Sequence, residues 1–235
     1  MRDDRAARPP QGIAVHILTF IGPLVWAVLI LFHPLPEGDS VYEGISDVVD
    51  RWLVVHVGQL ILTPFLFLAV WTLLAGLSSV AATVSRCALV VWTVFFSAYD
   101  SVQGIATGVL GRHANDLAGD EQAGIAAAMQ YLVEDSTLAG NVSFIALVAG
   151  GAWLTVSIAA AVALHQAGAG RAIVVATAIS TVFAMHSVPA AIGLIALCVA
   201  AILRDRQRTT PATSTPVETE GDDRRRSESP SAILE

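Results

Sequence analysis

Five apolar runs divide this chain, and each is long enough to cross a lipid bilayer. The first, Gly12 to His33, would reach about 33 Å as a helix, against a hydrocarbon core of about 30 Å. The others run from Trp52 to Gly76, Cys87 to Leu110, Gly140 to His165 and Ala172 to Leu203. Only 14% of the residues are charged and mean hydropathy is +0.65, whereas soluble domains carry about 25% charged residues. That excludes a soluble globular enzyme, a disordered protein and a nucleic-acid binder. A net charge of −7 strengthens the last exclusion, because phosphate binding needs a basic face. The expected fold is therefore all-α, a polytopic membrane helix bundle over residues 12–203. A short cytoplasmic segment, 1–11, precedes it. A polar tail without periodicity, 204–235, follows it and is expected to be disordered in the cytoplasm.

Arginine placement sets the expected topology. Arg2, Arg5 and Arg8 precede the first run, Arg86 lies between the second and third, and Arg171 between the fourth and fifth. Arg204, Arg206 and Arg208 follow the last run. The two acidic loops, 34–51 and 111–138, fall on the opposite side. The last run would make a helix of about 48 Å, too long for a simple crossing. It is interrupted at His186-Ser187-Val188-Pro189, where proline disfavours helix before it and Ser187 can cap a new one. A short helical hairpin there puts every arginine-rich segment on one side, as the positive-inside rule demands. That gives six membrane segments with both termini in the cytoplasm of a plasma-membrane protein; a single tilted helix would give five. The first run is too long for a signal-peptide core, so it is read as a retained span. Within the second acidic loop, Ile125, Met129 and Leu132 recur at helical spacing and predict an amphipathic helix on the membrane surface. Trp52 and Trp71 suit interfacial anchors near the two ends of the second run.

All 13 basic residues are arginine. Without lysine there is no Schiff base for retinal or pyridoxal phosphate, and arginine does not replace it. The same bias, with abundant Ala and Val, suggests a GC-rich bacterial genome. Cys87 and Cys198 lie in apolar runs without metal-ligand spacing and read as packing residues.

Ionisable and amide side chains inside apolar runs are expensive, and so point to function. Asp100 is the deepest, with Gln103 and Thr107 on its helical face. His56 comes next, with Gln59 and Thr63 on its face. The plainer readings are an aspartate bonding a neighbouring helix and an interfacial histidine facing headgroups. His186 stands at the hairpin tip and Asn141 at the start of the fourth run. Under the six-segment topology His56, Gln59, Asp100, Gln103, Asn141 and His186 all fall in the outer part of the bilayer, which predicts an outward-facing polar pocket. Gly104 and Gly108, with Ala146, Ala149 and Gly150, let helices approach closely and are expected to put the third and fourth runs in the interior of the bundle.

Three chemistries suit such a pocket. His56, Asp100 and His186 would offer a divalent metal two imidazoles and a carboxylate. A histidine beside a carboxylate would relay protons or hold a polar substrate. Haem would need histidines paired across helices, His56 with His186 and His16 with His165, but the latter two stand where ordinary interfacial histidines do. No Gly-x-Ser-x-Gly element speaks for nucleophilic hydrolysis.

The stretch from Ala98 through Tyr99, Asp100, Gln103 and Gly104 to Gly108, with the later His186-Ser187-Val188-Pro189, resembles a group of bacterial multi-pass membrane proteins. The resemblance covers the spans and not the tail. It implies a membrane bundle and no activity. The sequence thus leads to a bilayer-embedded protein that binds, senses or transports a small molecule or ion. A metal-dependent membrane enzyme and a ligand-free structural protein stand as alternatives.

Overall fold

The computed structural model describes residues 13–35, 38–134, 142–184 and 188–209. Every regular element among them is helical. The elements are α1 (Ile13–Leu31), α2 (Val41–Ile45), a 3₁₀ turn (Ser46–Val48), α3 (Val49–Leu73), α4 (Val80–Tyr99), a π-helical segment (Asp100–Ala106), α5 (Thr107–Asn115), α6 (Gly119–Glu134), α7 (Val142–Gln166), α8 (Arg171–Ile179), a second 3₁₀ segment (Ser180–Ala184) and α9 (Val188–Thr209). Four stretches are long and apolar enough to cross a membrane: Val41–Leu73, Val80–Asn115, Ser143–Gln166 and Val188–Arg208. Two shorter apolar helices, Phe20–Leu31 and Arg171–Phe183, accompany them. Val54, Ile61, Leu147 and Ile192 are each at least half exposed on these helices. Apolar surface of this kind suits lipid rather than water.

Local chemistry sets the breaks. Pro34 restricts His33 and ends α1. Gly76 and Gly168 take positive φ, 76° and 68°, just past the ends of α3 and α7, a geometry that favours glycine at helix C-termini. Ser79 caps α4, its Oγ accepting from the Ala82 N–H at 3.3 Å. From Val80 the chain stays helical through Asn115. At about 54 Å this helix exceeds the expected third run at both ends.

Helices α4 and α7 make the most extensive contact, and the Ser85 hydroxyl donates to the Val156 carbonyl at 2.8 Å between them. Helix α1 lies between α3 and α9, touching α3 where Gly58 faces Leu29 and Gly22 faces Phe65. Helix α9 turns back against α8 and the second 3₁₀ segment. A Cβ at Gly193 would stand 2.6 Å from the Phe183 backbone nitrogen.

The anticipated close approach of a helix is realised at Gly104 and Gly108, where α3 is the neighbour: Cβ atoms there would collide with His56 and with Leu53. Gly150 and Gly151 instead face open space. Helix α6 also departs from expectation. Met129 is fully buried with Ile45 and Trp52, so this face covers the bundle rather than a membrane surface. Residues 204–209, expected in the disordered tail, continue α9. They are held because Arg208 donates to the carbonyls of Thr72, Leu73 and Ala75. Arg86 donates to Leu74 and Leu77 at the same helix end, supplying the carbonyls that every helix C-terminus leaves bare. The remainder of the tail, 210–235, and the segment 1–12 lie outside the described residues.

Candidate functional site

The polar residues of α3 and of the π-helical segment meet at the α3 face that also touches the end of α1. His56 Nδ1 lies 2.7 Å from Asp100 Oδ1, and both side chains are buried, at 7% and 1% exposure. On its other edge His56 Nε2 is 3.2 Å from Nε2 of His33. His33 Nδ1 in turn lies 2.7 Å from the Pro34 carbonyl oxygen. A carbonyl only accepts, so His33 Nδ1 carries a hydrogen.

The three contacts constrain where hydrogens sit in this row. Three hydrogen bonds need three hydrogens, one each between Pro34 and His33, His33 and His56, and His56 and Asp100. Two neutral imidazoles and a carboxylate supply two. Satisfying all three contacts at once therefore takes one further hydrogen on these groups. That proton can sit on Asp100, His56 or His33 with every bond retained. Asp100 Oδ2 has no hydrogen-bond partner among the described residues.

The backbone makes this meeting possible. The Thr107 hydroxyl donates to the Val102 carbonyl at 3.1 Å, and the Trp52 indole N–H donates to the Gly104 carbonyl at 2.8 Å. A π turn holds more residues than an α turn, so it changes which residues face a neighbour. Asp100, Gly104 and Thr107 are buried, whereas Gln103 is partly exposed. Of the expected Asp100–Gln103–Thr107 stripe, Gln103 reaches the cavity wall while Asp100 and Thr107 are buried. Gly104 has no Cβ because one there would overlap the His56 ring, whose own Cβ would be 2.8 Å away.

Beside this row lies a cavity of about 330 Å³, within the usual range for small-molecule sites. Four of the chain's five tryptophans line it: Trp26, Trp52, Trp92 and Trp153. Phe96, Tyr99 and Phe183 add three more rings. The rings hold each other in edge and tilted contacts. Trp92 and Trp153 have centroids 4.9 Å apart, and Phe183 stands edge-on to Trp153 at 4.9 Å and to Trp26 at 5.3 Å. Such geometry is favoured by ring quadrupoles. The Trp153 N–H donates to the Ser180 carbonyl at 2.8 Å. The Trp26 N–H is buried without a partner among the described residues. Among the described residues, His33, His56, Gln59 and Gln103 make the polar wall. Gly150 lines the cavity and leaves it open.

His33 also borders a second cleft, of about 490 Å³, with Glu43, Asp47 and Arg51 in its lining. The histidine row thus runs from this acidic cleft, past the aromatic cavity, to Asp100.

Of the residues singled out in the sequence, His56, Gln59 and Gln103 line the cavity, and Asp100 stands behind His56 rather than in the wall. Asn141 and His186 lie outside the described residues, as do the side chain of His16 and any haem pairing through it. No group of three metal-ligating side chains occurs among the described residues, and His56 Nδ1 is already engaged by Asp100. Trp52 is not an interfacial anchor. It is 5% exposed and bonds the π segment, while Trp71 is 44% exposed and carries the Arg86 guanidinium on its ring.

His33 and the three tryptophans of the other helices escaped the sequence reading. His33 stands at a span end, where histidine is unremarkable, and tryptophans in apolar runs look like packing. The one usable signal was that Trp26, Trp92 and Trp153 lie mid-run, away from the interfaces where tryptophan is enriched. No known family model matches this chain, and no curated protein or solved structure does either.

Proposed function

We propose that this protein is a plasma-membrane protein that binds a small organic molecule in the tryptophan-lined cavity. One observation carries the reading: four of five tryptophans, drawn from α1, α3, α4 and α7, surround a space that ends on buried His56 and Gln59. A merely structural core would fill that space, because interiors pack densely and voids cost stability. The ligand has a flat or rounded apolar body to meet the rings, and polar atoms that meet the imidazoles and amides.

The test uses the tryptophans themselves. Full-length protein in lipid nanodiscs should show saturable quenching or enhancement of tryptophan emission with small aromatic ligands. Gly150→Phe places a ring where a Cβ meets nothing within 4 Å, so it should keep the fold and abolish the response. An undiminished response in that variant would remove the cavity as the binding site.

The accompanying topology has six membrane segments with both termini in the cytoplasm. Its support is that Arg208, at the end of α9, reaches the same end of α3 as Arg86. A phosphatase reporter, which folds only outside the cytoplasm, should be inactive when fused after Arg208. Strong activity there would restore a five-span arrangement.

A further inference from the structure

We propose that the cavity takes an uncharged, planar ring compound with a lactam edge, an N–H and a C=O side by side on the ring, and that the Gln59 carboxamide pairs with that edge. The inference rests on the cavity being a binding site and names its ligand class.

The polar groups of the wall fall into two sets. One set is closed. His56 meets Asp100 through Nδ1 and His33 through Nε2, and His33 meets the Pro34 carbonyl through its own Nδ1. The indole N–H groups of Trp52 and Trp153 donate to the carbonyls of Gly104 and Ser180. The other set is open. The side-chain amides of Gln59 and Gln103 make no hydrogen bond with any described residue, although Gln59 is only 5% exposed. The Gln59 backbone carbonyl accepts from the Thr63 hydroxyl at 2.9 Å, so the amide is its unspent group. The Trp26 N–H is likewise buried without a partner among the described residues. Buried polar groups left unpaired cost stability and call for a partner. A closed group meets a ligand only by giving up a bond it already makes, so recognition falls to the open ones.

The open groups dictate the chemistry of the ligand. A carboxamide presents a donor and an acceptor side by side. A ketone or ether oxygen would use only the donor, and an ammonium group only the acceptor. A lactam edge uses both, in two parallel hydrogen bonds. A second carbonyl on the same ring would take the Trp26 N–H. Charge is disfavoured, because neither arginine nor carboxylate lines the cavity among the described residues, and an uncompensated buried charge is costly. A flat ring suits the walls. Trp92 and Phe96 stack at 5.2 Å with 22° between their planes, and aromatic rings favour offset-stacked or edge contacts with one another. The cavity, about 330 Å³, is roughly twice the ~150 Å³ that holds one benzene ring, and so has room for a fused bicycle.

The experiment compares four fused bicycles of similar size: carbostyril, which has the lactam edge; N-methylcarbostyril, which keeps the carbonyl and loses the donor; naphthalene, which has no polar edge; and the cation N-methylquinolinium. Full-length protein in nanodiscs is titrated with each, following tryptophan emission and subtracting the uptake of protein-free nanodiscs. Carbostyril should bind at least about tenfold tighter than its N-methyl derivative. Gln59→Leu keeps the bulk and removes both hydrogen-bonding groups. It should weaken carbostyril by about tenfold and leave naphthalene unchanged. If that variant does not fold, the two carbostyrils on the unaltered protein decide alone. Equal binding of these two, or undiminished carbostyril affinity in Gln59→Leu, would overturn the lactam pairing while naphthalene binding keeps the cavity standing. Tighter binding of N-methylquinolinium than of carbostyril would assign the ring faces to cations and also overturn it. Failure of all four to bind would overturn the cavity reading and this inference together.

Discussion

Helix α3 is joined to the long Val80–Asn115 helix by two charged pairs that look alike on paper. His56 and Asp100 approach to 2.7 Å, Asp50 and Arg112 to 2.6 Å. They sit about 9 Å apart along the same helix. The first pair is 7% and 1% exposed, the second 57% and 82%. In the buried pair, loss of one partner strands the other in a medium that cannot solvate it. In the exposed pair, water takes over at once. Distance therefore says little here; surroundings set both the energetic weight and the function. The buried pair is also backed by a third residue, His33, and borders the aromatic cavity.

The largest effect should come from Asp100. Asp100→Leu removes the partner of His56 and should destabilise the bundle by about 3 kcal/mol. Asp100→Asn keeps a donor for His56 Nδ1 and should stay within about 1 kcal/mol. Denaturant unfolding in mixed micelles, followed by tryptophan emission, measures both. Equal losses would mean that shape, and not the hydrogen bond, joins the helices.

Next in size is Gly104→Ala. The added methyl meets the His56 ring, and overpacking of this kind costs about 1–3 kcal/mol. Combining it with His56→Ala removes the clash, so the double variant should cost less than the sum of the singles. Simple additivity would show that the π segment yields freely and that the close approach has no role in placing Asp100.

These two positions mark what the sequence disclosed and what it withheld. Asp100 and His56 were legible because an ionisable group in an apolar run is costly enough to need a reason. Their partnership was not, since pairing depends on helix order and on a π segment whose Gly104 carbonyl is bonded by Trp52, 52 residues away in sequence. Helical periodicity put Gln103 and Asp100 on one face; Gln103 lines the cavity, whereas Asp100 is buried behind His56. The helices themselves were readable from apolar run length. Their ends were not, because α4 begins at a serine cap and α9 runs on to meet the carbonyls of α3, and tertiary contacts decide both. The aromatic cavity could not be seen because a tryptophan facing a void and one facing a neighbour have the same one-dimensional signature.

Arg86 supplies the intermediate case between the two pairs. It is half-buried and donates to the Leu74 and Leu77 carbonyls at 2.7 and 2.9 Å while lying over Trp71. Arg86→Ala should cost about 1 kcal/mol, since water reaches part of what the guanidinium leaves. Arg86→Lys should recover little, because one ammonium does not reproduce a planar donor lying on a ring. Full recovery by lysine would reduce the contact to plain charge at a helix C-terminus.

The smallest effect belongs to the exposed pair, and its smallness is what the comparison predicts. Arg112→Ala or Asp50→Ala should change stability by less than about 0.5 kcal/mol, and raising salt should erase even that. Neither residue lines the aromatic cavity, so the response of tryptophan emission to aromatic ligands should be unaltered in both variants. The double variant should equal the sum of the singles within error, as it does for partners that hardly interact. If instead either substitution cost as much as Asp100→Leu, the acidic end of α3 would be shielded from water in the membrane-embedded protein. The distinction between the two pairs would then disappear, and with it the argument that surroundings rather than distance set their energetic weight.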